Sequence, residues 1–554
     1  MKKYNLNKKL NIWQPEHAEY FAYSDGKEEE FRLYKNIMSC SDTSVHSEEL
    51  KKFIFNWATY YHLSAKRSNL LRPFCANIKN KKILEIGAGC GAITRYLAES
   101  DAEVTAVEGS PNRAAIIAAR CKDLKNVKII ADNFENFETD EKFDIVTIIG
   151  VLEYAQLYLK TANPVIDMLA KARSHLKSEG YLIVAIENQL GLKYFCGAPE
   201  DHMQKFAFGI NDSYTKKTVI TFGKIELESY FQKSGFKNYD LYLPFPDYKM
   251  PACILYPEGQ FSKLEWDPGS LVSSSVIYEA QPFTPSLFSL EQAWKVVARN
   301  NLLPHLSNSF LYMVSNEKIN IKDHDTIYAA HYGSEKSKNG NSEKIFQKNE
   351  QGKTHIVLYN KSLDEIDLKN NTLPYIIGTI HIDNLIKILN TPEWSLKNIA
   401  LWAKAWIDLL IKVSTKEEPF NLNGHDFTEF LPTNHVDAIP QNMTIDQDGA
   451  CSFFDLELEF HTKLPLDFVV FRGLFISLFR IRSCSKPAKE VSHRIAEITI
   501  EALKLCGFEF GDSKMNSIIK MFNDFQNIAE NKRQDEVNNL TKAIGNSILP
   551  IRPI

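Results

Sequence analysis

The sequence predicts an α/β fold whose central sheet is mostly parallel. Apolar bursts alternate with helical stretches between residues 81 and 256, the pattern of parallel strands joined by crossover helices. A cluster of glycines follows the first burst, where a parallel strand would turn into its helix. The five bursts that helical stretches separate are KILEI (82–86), EVTAVE (103–108), VKIIA (127–131), FDIVTIIG (143–150) and GYLIVAIE (180–187).

Two further bursts close this series, YDLYL (239–243) and ACILY (252–256). The segment between them, PFPDYKMP, is too short for a crossover helix. The last two strands are therefore predicted to pair as an antiparallel hairpin at the end of the sheet.

Length and composition limit the function classes. A chain of 554 residues exceeds the usual size of one domain, so several domains are expected. The formal charge of -4 provides no general basic field, so no nucleic-acid partner is expected. The 9 scattered cysteines form no C-x-x-C pair, and neither a signal peptide nor a long uncharged apolar run occurs. These features predict a cytoplasmic protein. The most apolar stretch, residues 465–481, is predicted to be a buried helix.

The patterning predicts four regions. Residues 1–80 form an N-terminal helical segment that is expected to act as a lid over the α/β domain, which comprises residues 81–260. Residues 261–320, which include a Ser/Pro-rich stretch, are interpreted as a linker. Residues 321–554 form a C-terminal domain of mixed α/β and helical character.

The stretch LEIGAGCG predicts a ligand-binding turn. Gly87, Gly89 and Gly91 allow a sharp turn after the strand and leave room for a ligand beside the free N–H groups of the next helix. Ala92 also completes a G-x-G-x-x-A match, so a dinucleotide is an alternative. Glu85 precedes the turn and suits an ammonium or sulfonium charge better than a pyrophosphate. A strand-to-helix turn without a ligand is the other alternative.

Polar residues at the ends of the following strands extend this site. Glu108 ends the second strand 19 positions after Gly89, where its carboxylate would accept hydrogen bonds from ribose hydroxyls. Asp132, with Asn133 beside it, follows the third strand and is predicted to meet an adenine amino group. Gly150 and Glu153 lie in the loop GVLEYA after the fourth strand, which is predicted to cap the adenosyl group. Together these features favour S-adenosylmethionine over a dinucleotide.

Residues 81–190 resemble a class I S-adenosylmethionine-dependent methyltransferase, which has a Rossmann-like sheet. A narrower resemblance covers about 50–256: YYHLSAKRSNLLRP, IGVLEYA, AIENQLGLKYFCGAPEDH and PFPDYKMP resemble bacterial methyltransferases of cell-surface polysaccharide (O-antigen) synthesis. This resemblance implies a glycan or glycan-linked acceptor, with membrane-associated polysaccharide enzymes as partners at the inner membrane. Tyr61, with His62 and Arg67, lies where methyltransferases fold an N-terminal helix over the cofactor; an ordinary helix face explains these residues equally well.

The segment GAPEDH follows the fifth strand, at the sheet edge where acceptors bind. His202 is the candidate base for a hydroxyl acceptor, with Asp201 or Glu200 orienting it or contacting the substrate. A phosphate acceptor is already anionic and needs no base. Glu187 and Asn188 leave the same strand and are further candidates for lining the acceptor site. The alternative is a surface loop held by polar contacts.

A second constellation lies near the C-terminus, in HVDAIPQNMTIDQDGACSFFD (435–455). His435, Asp437 and Asn442 match the catalytic loop of kinase-like phosphotransferases, and Asp455 stands at the position of the metal-binding aspartate. The resemblance implies ATP and Mg²⁺, held by Asn442 and Asp455, with Lys348 as the candidate strand lysine. The upstream half lacks a G-x-G-x-x-G loop, so a non-catalytic kinase-like module and an unrelated fold stay open.

The sequence therefore predicts a methyltransferase that moves a methyl group from S-adenosylmethionine to an oxygen acceptor and needs no metal for this step. A bifunctional methyltransferase-kinase that caps O-antigen chains is one alternative. A non-catalytic scaffold within a polysaccharide assembly complex is the other.

Overall fold

The computed structural model describes residues 4–16, 26–318, 321, 324–333, 342–360, 372–456, 458–530 and 544–552. The N-terminal part of the chain packs its helices beside the large sheet. Its elements are β1 (Tyr4–Asn7), β2 (Ile12–Pro15), α1 (Lys27–Ser39), α2 (Glu48–Lys51), α3 (Trp57–Leu63), a 3₁₀ helix (Ala65–Phe74) and α4 (Cys75–Ile78).

The next part of the chain forms the parallel core of the sheet. Its strands run in the order β5-β4-β3-β6-β7, with every neighbouring pair parallel, which confirms the mostly parallel sheet and its five helix-associated strands. The elements are β3 (Lys82–Ile86), α5 (Ala92–Glu99), β4 (Glu103–Glu108), α6 (Pro111–Arg120), β5 (Val127–Ala131), β6 (Phe143–Ile149), a 3₁₀ helix (Leu152–Tyr154), α7 (Ala155–Tyr158), α8 (Pro164–Ser174), β7 (Leu176–Glu187) and α9 (Leu192–Phe195).

Both faces of this sheet are buried, as expected for parallel strands covered by helices. Ile83 and Ile183 belong to the core on one face, and Leu84 and Leu182 belong to the core on the other. This explains why the strands read as continuous apolar bursts rather than as alternating patterns.

An antiparallel strand from a distant part of the chain completes the sheet. The elements after the parallel core are α10 (Lys224–Lys233), β8 (Asn238–Phe245), β9 (Cys253–Leu255), α11 (Pro268–Ser275), α12 (Leu290–Arg299), α13 (Leu303–Leu306) and β10 (Ser309–Ser315). Strand β10 lies between β7 and β8 and pairs antiparallel with both. The sheet order is then β5-β4-β3-β6-β7-β10-β8.

This arrangement changes part of the sequence prediction. Strands β8 and β9 do form an antiparallel hairpin, as predicted. The antiparallel neighbour of β7 is β10, however, and β10 comes from residues 261–320, which the sequence suggested were a linker. That region also contains helices α11 to α13, because its apolar residues pack on the sheet.

The hairpin does not end the sheet. Strand β9 pairs antiparallel with β11 (Ile327–Tyr332), followed in order by β12 (Ser342–Lys348), β13 (Thr354–Asn360) and β14 (Thr372–Pro374). The strand-like pieces predicted between 325 and 360 are confirmed. They extend the methyltransferase-type sheet rather than standing apart from it.

The remaining described residues are mostly helical around a separate core, and two three-stranded sheets, β15-β18-β19 and β16-β17-β20, accompany them. The elements are β15 (Gly378–Ile380), α14 (His381–Leu389), α15 (Leu396–Val413), β16 (Thr415–Leu422), β17 (His425–Leu431), β18 (Met443–Asp446), β19 (Cys451–Phe453), β20 (Leu464–Pro465), α16 (Leu466–Phe479), α17 (Ile495–Leu505) and α18 (Asp512–Glu530). Helix α16 is buried in this core, as predicted. Within the described part of the chain, no helix combines the length and apolarity needed to cross a membrane. The kinase-like character of this region stays a prediction.

Candidate functional site

The glycine turn lies between β3 and α5, at the carboxyl edge of the parallel strands. Gly87, Gly89 and Gly91 have φ values of +71°, +57° and +80°, the left-handed region that glycine adopts without a steric penalty. A Cβ added to Gly87 would lie 2.4 Å from Val151 Cγ2, whereas a Cβ on Gly89 would meet nothing within 4 Å. Gly87 is therefore required by packing, and Gly89 faces open space where a ligand would fit.

Two buried carboxylates border this space. The Glu108 carboxylate accepts hydrogen bonds from the N–H groups of Gly89 (2.8 Å) and Ser110 (2.9 Å), which fixes the turn against the end of β4. Glu85 is 4% exposed and accepts a hydrogen bond of 2.6 Å from the Thr94 hydroxyl. Burial raises the pKa of Glu85 to about 8, although the bond from Thr94 acts in the opposite direction. A ligand cation beside Glu85 would lower this pKa again.

Asp132 and Asn133 follow β5 in the same row of strand ends. Asp132 is buried, and its carboxylate accepts hydrogen bonds from the Tyr4 hydroxyl (2.8 Å) and the Asn133 N–H (2.9 Å). Tyr4 belongs to β1, so the N-terminal strand lies against the residue expected to meet the adenine group. The sequence offers no local signal for this contact, because the two residues are 128 positions apart.

The loop after β6 packs against the glycine turn through Val151, and the N-terminal helical segment contacts residues 248–249. Gly150 has a φ of +68°, and a Cβ there would lie 2.8 Å from the Tyr248 hydroxyl oxygen. The Arg67 guanidinium lies 4.5 Å from the centre of the Tyr61 ring and donates a hydrogen bond of 2.8 Å to the carbonyl of Lys249. Tyr61 is thereby held near the 248–249 loop, and its covering role stays a prediction.

The acceptor candidate His202 contacts a carboxylate that was not its predicted partner. Its Nε2 lies 3.6 Å from Glu187 Oε2, and its Nδ1 lies 3.3 Å from the Tyr154 hydroxyl. Glu200 accepts hydrogen bonds from the backbone N–H groups of His202 (3.0 Å) and Met203 (2.6 Å), so it shapes the loop rather than orienting the ring. Glu187 thus takes the orienting position that the sequence suggested for Asp201 or Glu200.

Asp201 belongs instead to an ion network beneath the loop. Its carboxylate lies 2.9 Å from Lys193 Nζ and accepts a hydrogen bond of 2.5 Å from Tyr194. Asp247 lies 3.0 Å from the same lysine. Lys249 Nζ lies 2.5 Å from Glu187 Oε1 and 3.8 Å from Asp201 Oδ1. This network fixes the loop relative to the end of β7.

Neighbouring charged side chains shift the pKa values of His202 and Glu187. Burial disfavours a charged imidazole, but Glu187, with Glu153 and Glu200, outweighs burial and raises the pKa of His202 to about 9. Burial also opposes ionisation of Glu187, yet Lys249 and His202 hold its pKa well below the usual range. Glu187 thus favours the protonated form of His202, and the ring must lose this proton before it can act as a base.

Asn188 does not line this site. Its side-chain amide donates hydrogen bonds to the carbonyls of His305 (2.8 Å) and Ser307 (2.7 Å). These bonds tie the end of β7 to the segment before β10, so Asn188 has a structural role. Glu153, in contrast, is 1% exposed and lies next to Glu187 and His202.

The structure brings some residues of the predicted C-terminal kinase-like site into contact with one another. Asn442 donates a hydrogen bond of 3.0 Å to the Asp437 carbonyl, and the Asp437 carboxylate lies 2.7 Å from Arg472 Nη2. Asp455 follows the β18–β19 hairpin and contacts Lys344 Nζ at 2.5 Å. His435 Nδ1 lies 2.8 Å from Asn434 Oδ1.

The lysine beside Asp455 is Lys344 of β12 and not the predicted Lys348, which lies four residues further along the strand. Lys348 contributes a backbone hydrogen bond from its N–H to the Thr326 carbonyl. The kinase-like hypothesis therefore gains a lysine–aspartate contact, but from a different lysine.

Comparisons with known proteins address the first site. Residues 84–182 match the family model described as a methyltransferase domain. Similar proteins include (S)-coclaurine N-methyltransferase of Papaver somniferum, 29% identical over 114 residues, which are 20% of this chain and 30% of that protein. Demethylmenaquinone methyltransferase of Tropheryma whipplei is 26% identical over 152 residues, 25% of this chain and 59% of that protein.

Among solved structures, the N-methyltransferase NodS of Bradyrhizobium japonicum is similar at 22% identity and a TM-score of 0.21, over 22% of this chain and 67% of that one. This chain spans less than two thirds of the length of the two curated relatives. The fold assignment rests on the strand order and the glycine turn described above. Residues 84–182 thus belong to a class I methyltransferase domain of the S-adenosylmethionine-dependent type.

Proposed function

We propose that this chain transfers a methyl group from S-adenosylmethionine to an oxygen acceptor, a hydroxyl or a phosphate, on a cell-surface glycan or its precursor. The observation that carries the proposal is the row of strand ends formed by the glycine turn, Glu108 and Asp132, together with the His202–Glu187 pair at the end of β7 in the same sheet. The cofactor supplies an electrophilic methyl group on its sulfonium sulfur.

The side chains described above have separate tasks in this reaction. Glu85, Glu108 and Asp132 bind and orient the cofactor from the strand ends. The loop that carries His202 holds the acceptor oxygen in line with the methyl group, and this placement provides much of the rate enhancement. As the acceptor oxygen bonds to the methyl carbon, the S–C bond would break and leave the neutral thioether of S-adenosylhomocysteine. A hydroxyl acceptor would give its proton to the neutral form of His202, whereas an ionised phosphate has no proton to lose.

The glycan acceptor rests on the resemblance of residues 50–256 to methyltransferases of polysaccharide synthesis. Membrane-associated enzymes of that synthesis are the partners we propose. The relatives above are named for N-methylation and for demethylmenaquinone, so the acceptor atom has to be identified directly. A non-catalytic scaffold in the same assembly is the alternative that a transfer assay excludes.

The test is transfer of labelled methyl from S-adenosylmethionine into fractionated bacterial envelope and soluble glycan precursors. We expect incorporation by the wild type and loss in His202→Ala, while calorimetry shows that both bind the cofactor. Aqueous hydrofluoric acid cleaves phosphate esters and releases the label from a methyl phosphate, but it leaves a methyl ether or a methylated amine intact. Label on nitrogen, or turnover unchanged in His202→Ala beside the exposed control His461→Ala, contradicts the proposal.

A second candidate function concerns the C-terminal region. We propose that Asp437, Asn442 and Asp455 bind a nucleotide with Mg²⁺, because Lys344 lies beside Asp455 as a phosphate-binding lysine would. Magnesium-dependent ATP binding should vanish in Asp455→Ala and weaken in Lys344→Met but not in Lys348→Met. Equal weakening by the two lysine variants contradicts this assignment.

A further inference from the structure

We infer that Glu153, Glu187 and His202 form a binding site for one divalent cation at the acceptor side of the methyltransferase domain. This inference deepens the proposed function and rests on it. The ligand atoms come from three separate segments: the 3₁₀ helix after β6, the end of β7 and the loop that follows α9. Their candidate ligand atoms all lie within 4.8 Å of one another.

These atoms are buried and lack hydrogen-bond partners. Glu153 is 1% exposed and Glu187 is 0% exposed, and Glu153 Oε2, Glu187 Oε2 and His202 Nε2 form no hydrogen bond with any residue that the structure describes. Glu187 Oε2 and His202 Nε2 are an ion pair 3.6 Å apart, which is too long for a hydrogen bond. A buried polar atom without a partner costs about 1–3 kcal/mol, so folded proteins rarely leave three side by side. A ligand that binds all three at once removes this cost.

The charges around the cluster favour a cation as that ligand. Lys193 and Lys249 are matched by Asp201 and Asp247, which lie within 3.5 Å of one or both lysines. Glu153 and Glu187 add two carboxylates beyond the two that match these lysines. Lys249 contacts Glu187 through Oε1, which leaves Oε2 directed towards His202 and Glu153.

The spacing suits a metal ion of the first transition row. Glu187 Oε2 and His202 Nε2 lie 3.6 Å apart, close to the separation of about 3 Å expected for adjacent ligands that are each about 2.1 Å from one ion. Mn²⁺ and Zn²⁺ both bind two carboxylates and one imidazole. Mg²⁺ binds such a set less readily because it prefers oxygen ligands and water.

Three protein ligands leave coordination positions open. An oxygen of the acceptor, from a hydroxyl or a phosphate, would fill one of them beside the Gly150 loop. A cation there would favour the deprotonated form of a hydroxyl bound to it. The site would therefore select acceptors whose oxygens can bind a metal ion.

The test measures binding of Mn²⁺ and of Zn²⁺ alone to the full chain stripped by a chelator, using calorimetry and, for Mn²⁺, electron paramagnetic resonance. One ion should bind per chain, and Glu153→Gln and His202→Ala should each weaken binding at least about tenfold. Glu179→Gln, an exposed carboxylate near the start of the same strand as Glu187, should bind as the wild type does. Asp455→Asn is the control for an ion held in the C-terminal region, and it should also leave this binding unchanged.

Two results overturn the inference: no binding of either ion by the wild type, or binding that is lost in Asp455→Asn but kept in the Glu153 and His202 variants. Cofactor binding and methyl transfer are measured separately, so the two proposals can fail independently. Ion binding at this cluster without transfer to any glycan fraction contradicts the proposed function alone. Transfer by a chain that binds neither ion contradicts the cation site alone.

Discussion

The protonation of Glu85 should make cofactor affinity depend on pH. Burial raises the pKa of this carboxyl to about 8 in the free protein, with Glu108 contributing in the same direction and Arg67 opposing it. An ammonium or sulfonium charge bound nearby stabilises the carboxylate, so the carboxyl is ionised in the complex. Below pH 8, binding must then release a proton from Glu85.

The size of the effect follows from linkage. The free protein holds this proton at low pH and the complex does not, so affinity rises with pH up to about 8 and is constant above it. Between pH 8 and pH 6 the dissociation constant of S-adenosylmethionine should rise by up to about 50-fold, with about one proton released per cofactor bound at the lower pH.

Calorimetry in buffers of different ionisation enthalpy measures both quantities at once. Glu85→Gln is the matched variant, because it keeps the shape and hydrogen-bonding capacity but cannot titrate. It should bind more weakly than the wild type at pH 8 and show a smaller dependence on pH. The cofactor has an amino group that titrates as well, so the comparison between the two proteins isolates Glu85. Identical pH dependence in the two would refute the assignment of Glu85 to the cationic end of the cofactor.

Two other sets of substitutions test the site. Gly87→Ala should lower thermal stability and cofactor affinity together, because its Cβ would clash with Val151. Gly89→Ala has open space around it, so it should cost only about 1–2 kcal/mol of stability and still abolish cofactor binding. Thermal unfolding with and without S-adenosylmethionine separates these cases, and wild-type affinity in Gly89→Ala would show that the cofactor lies elsewhere. Lys249→Met should destabilise the protein by about 3–5 kcal/mol by leaving Glu187 buried without its ammonium partner. The double variant with Glu187→Gln should lose less than the sum of the single losses in urea unfolding, and additive losses would contradict this coupling.

The parts of the site that sequence predicts best are those set by local geometry. The glycine turn, Glu108 and Asp132 all lie at strand ends, and the strands themselves are visible as apolar bursts. Because parallel strands place their carboxyl ends at one edge, locating the strands is enough to bring these residues together. The buried helix at 466–479 follows for a similar reason, since it is apolar on all sides.

The rest depends on contacts between distant segments. The strand β10 carries the buried sequence SFLYMVS, but nothing near it in the chain indicates that it pairs between β7 and β8. Lys344 and Lys348 share one face of their strand, and only the packed structure distinguishes two positions about 13 Å apart along it. The sequence identifies Glu187 as a strand-end residue, but its contact with His202 depends on the path of the chain between these two residues.

The position of β10 has a consequence for how the domain can be made. The sheet that carries the glycine turn takes one of its inner strands from residues 309–315, more than 120 positions after β7 ends. A nascent chain therefore cannot finish this sheet until the region after the β8–β9 hairpin has left the ribosome. A fragment that stops at residue 260 would carry every side chain proposed to bind the cofactor. It would still expose the facing edges of β7 and β8, which could then pair with another copy. The sheet that supports this site therefore requires at least the first 315 residues, and not only the segment in which its motifs are found.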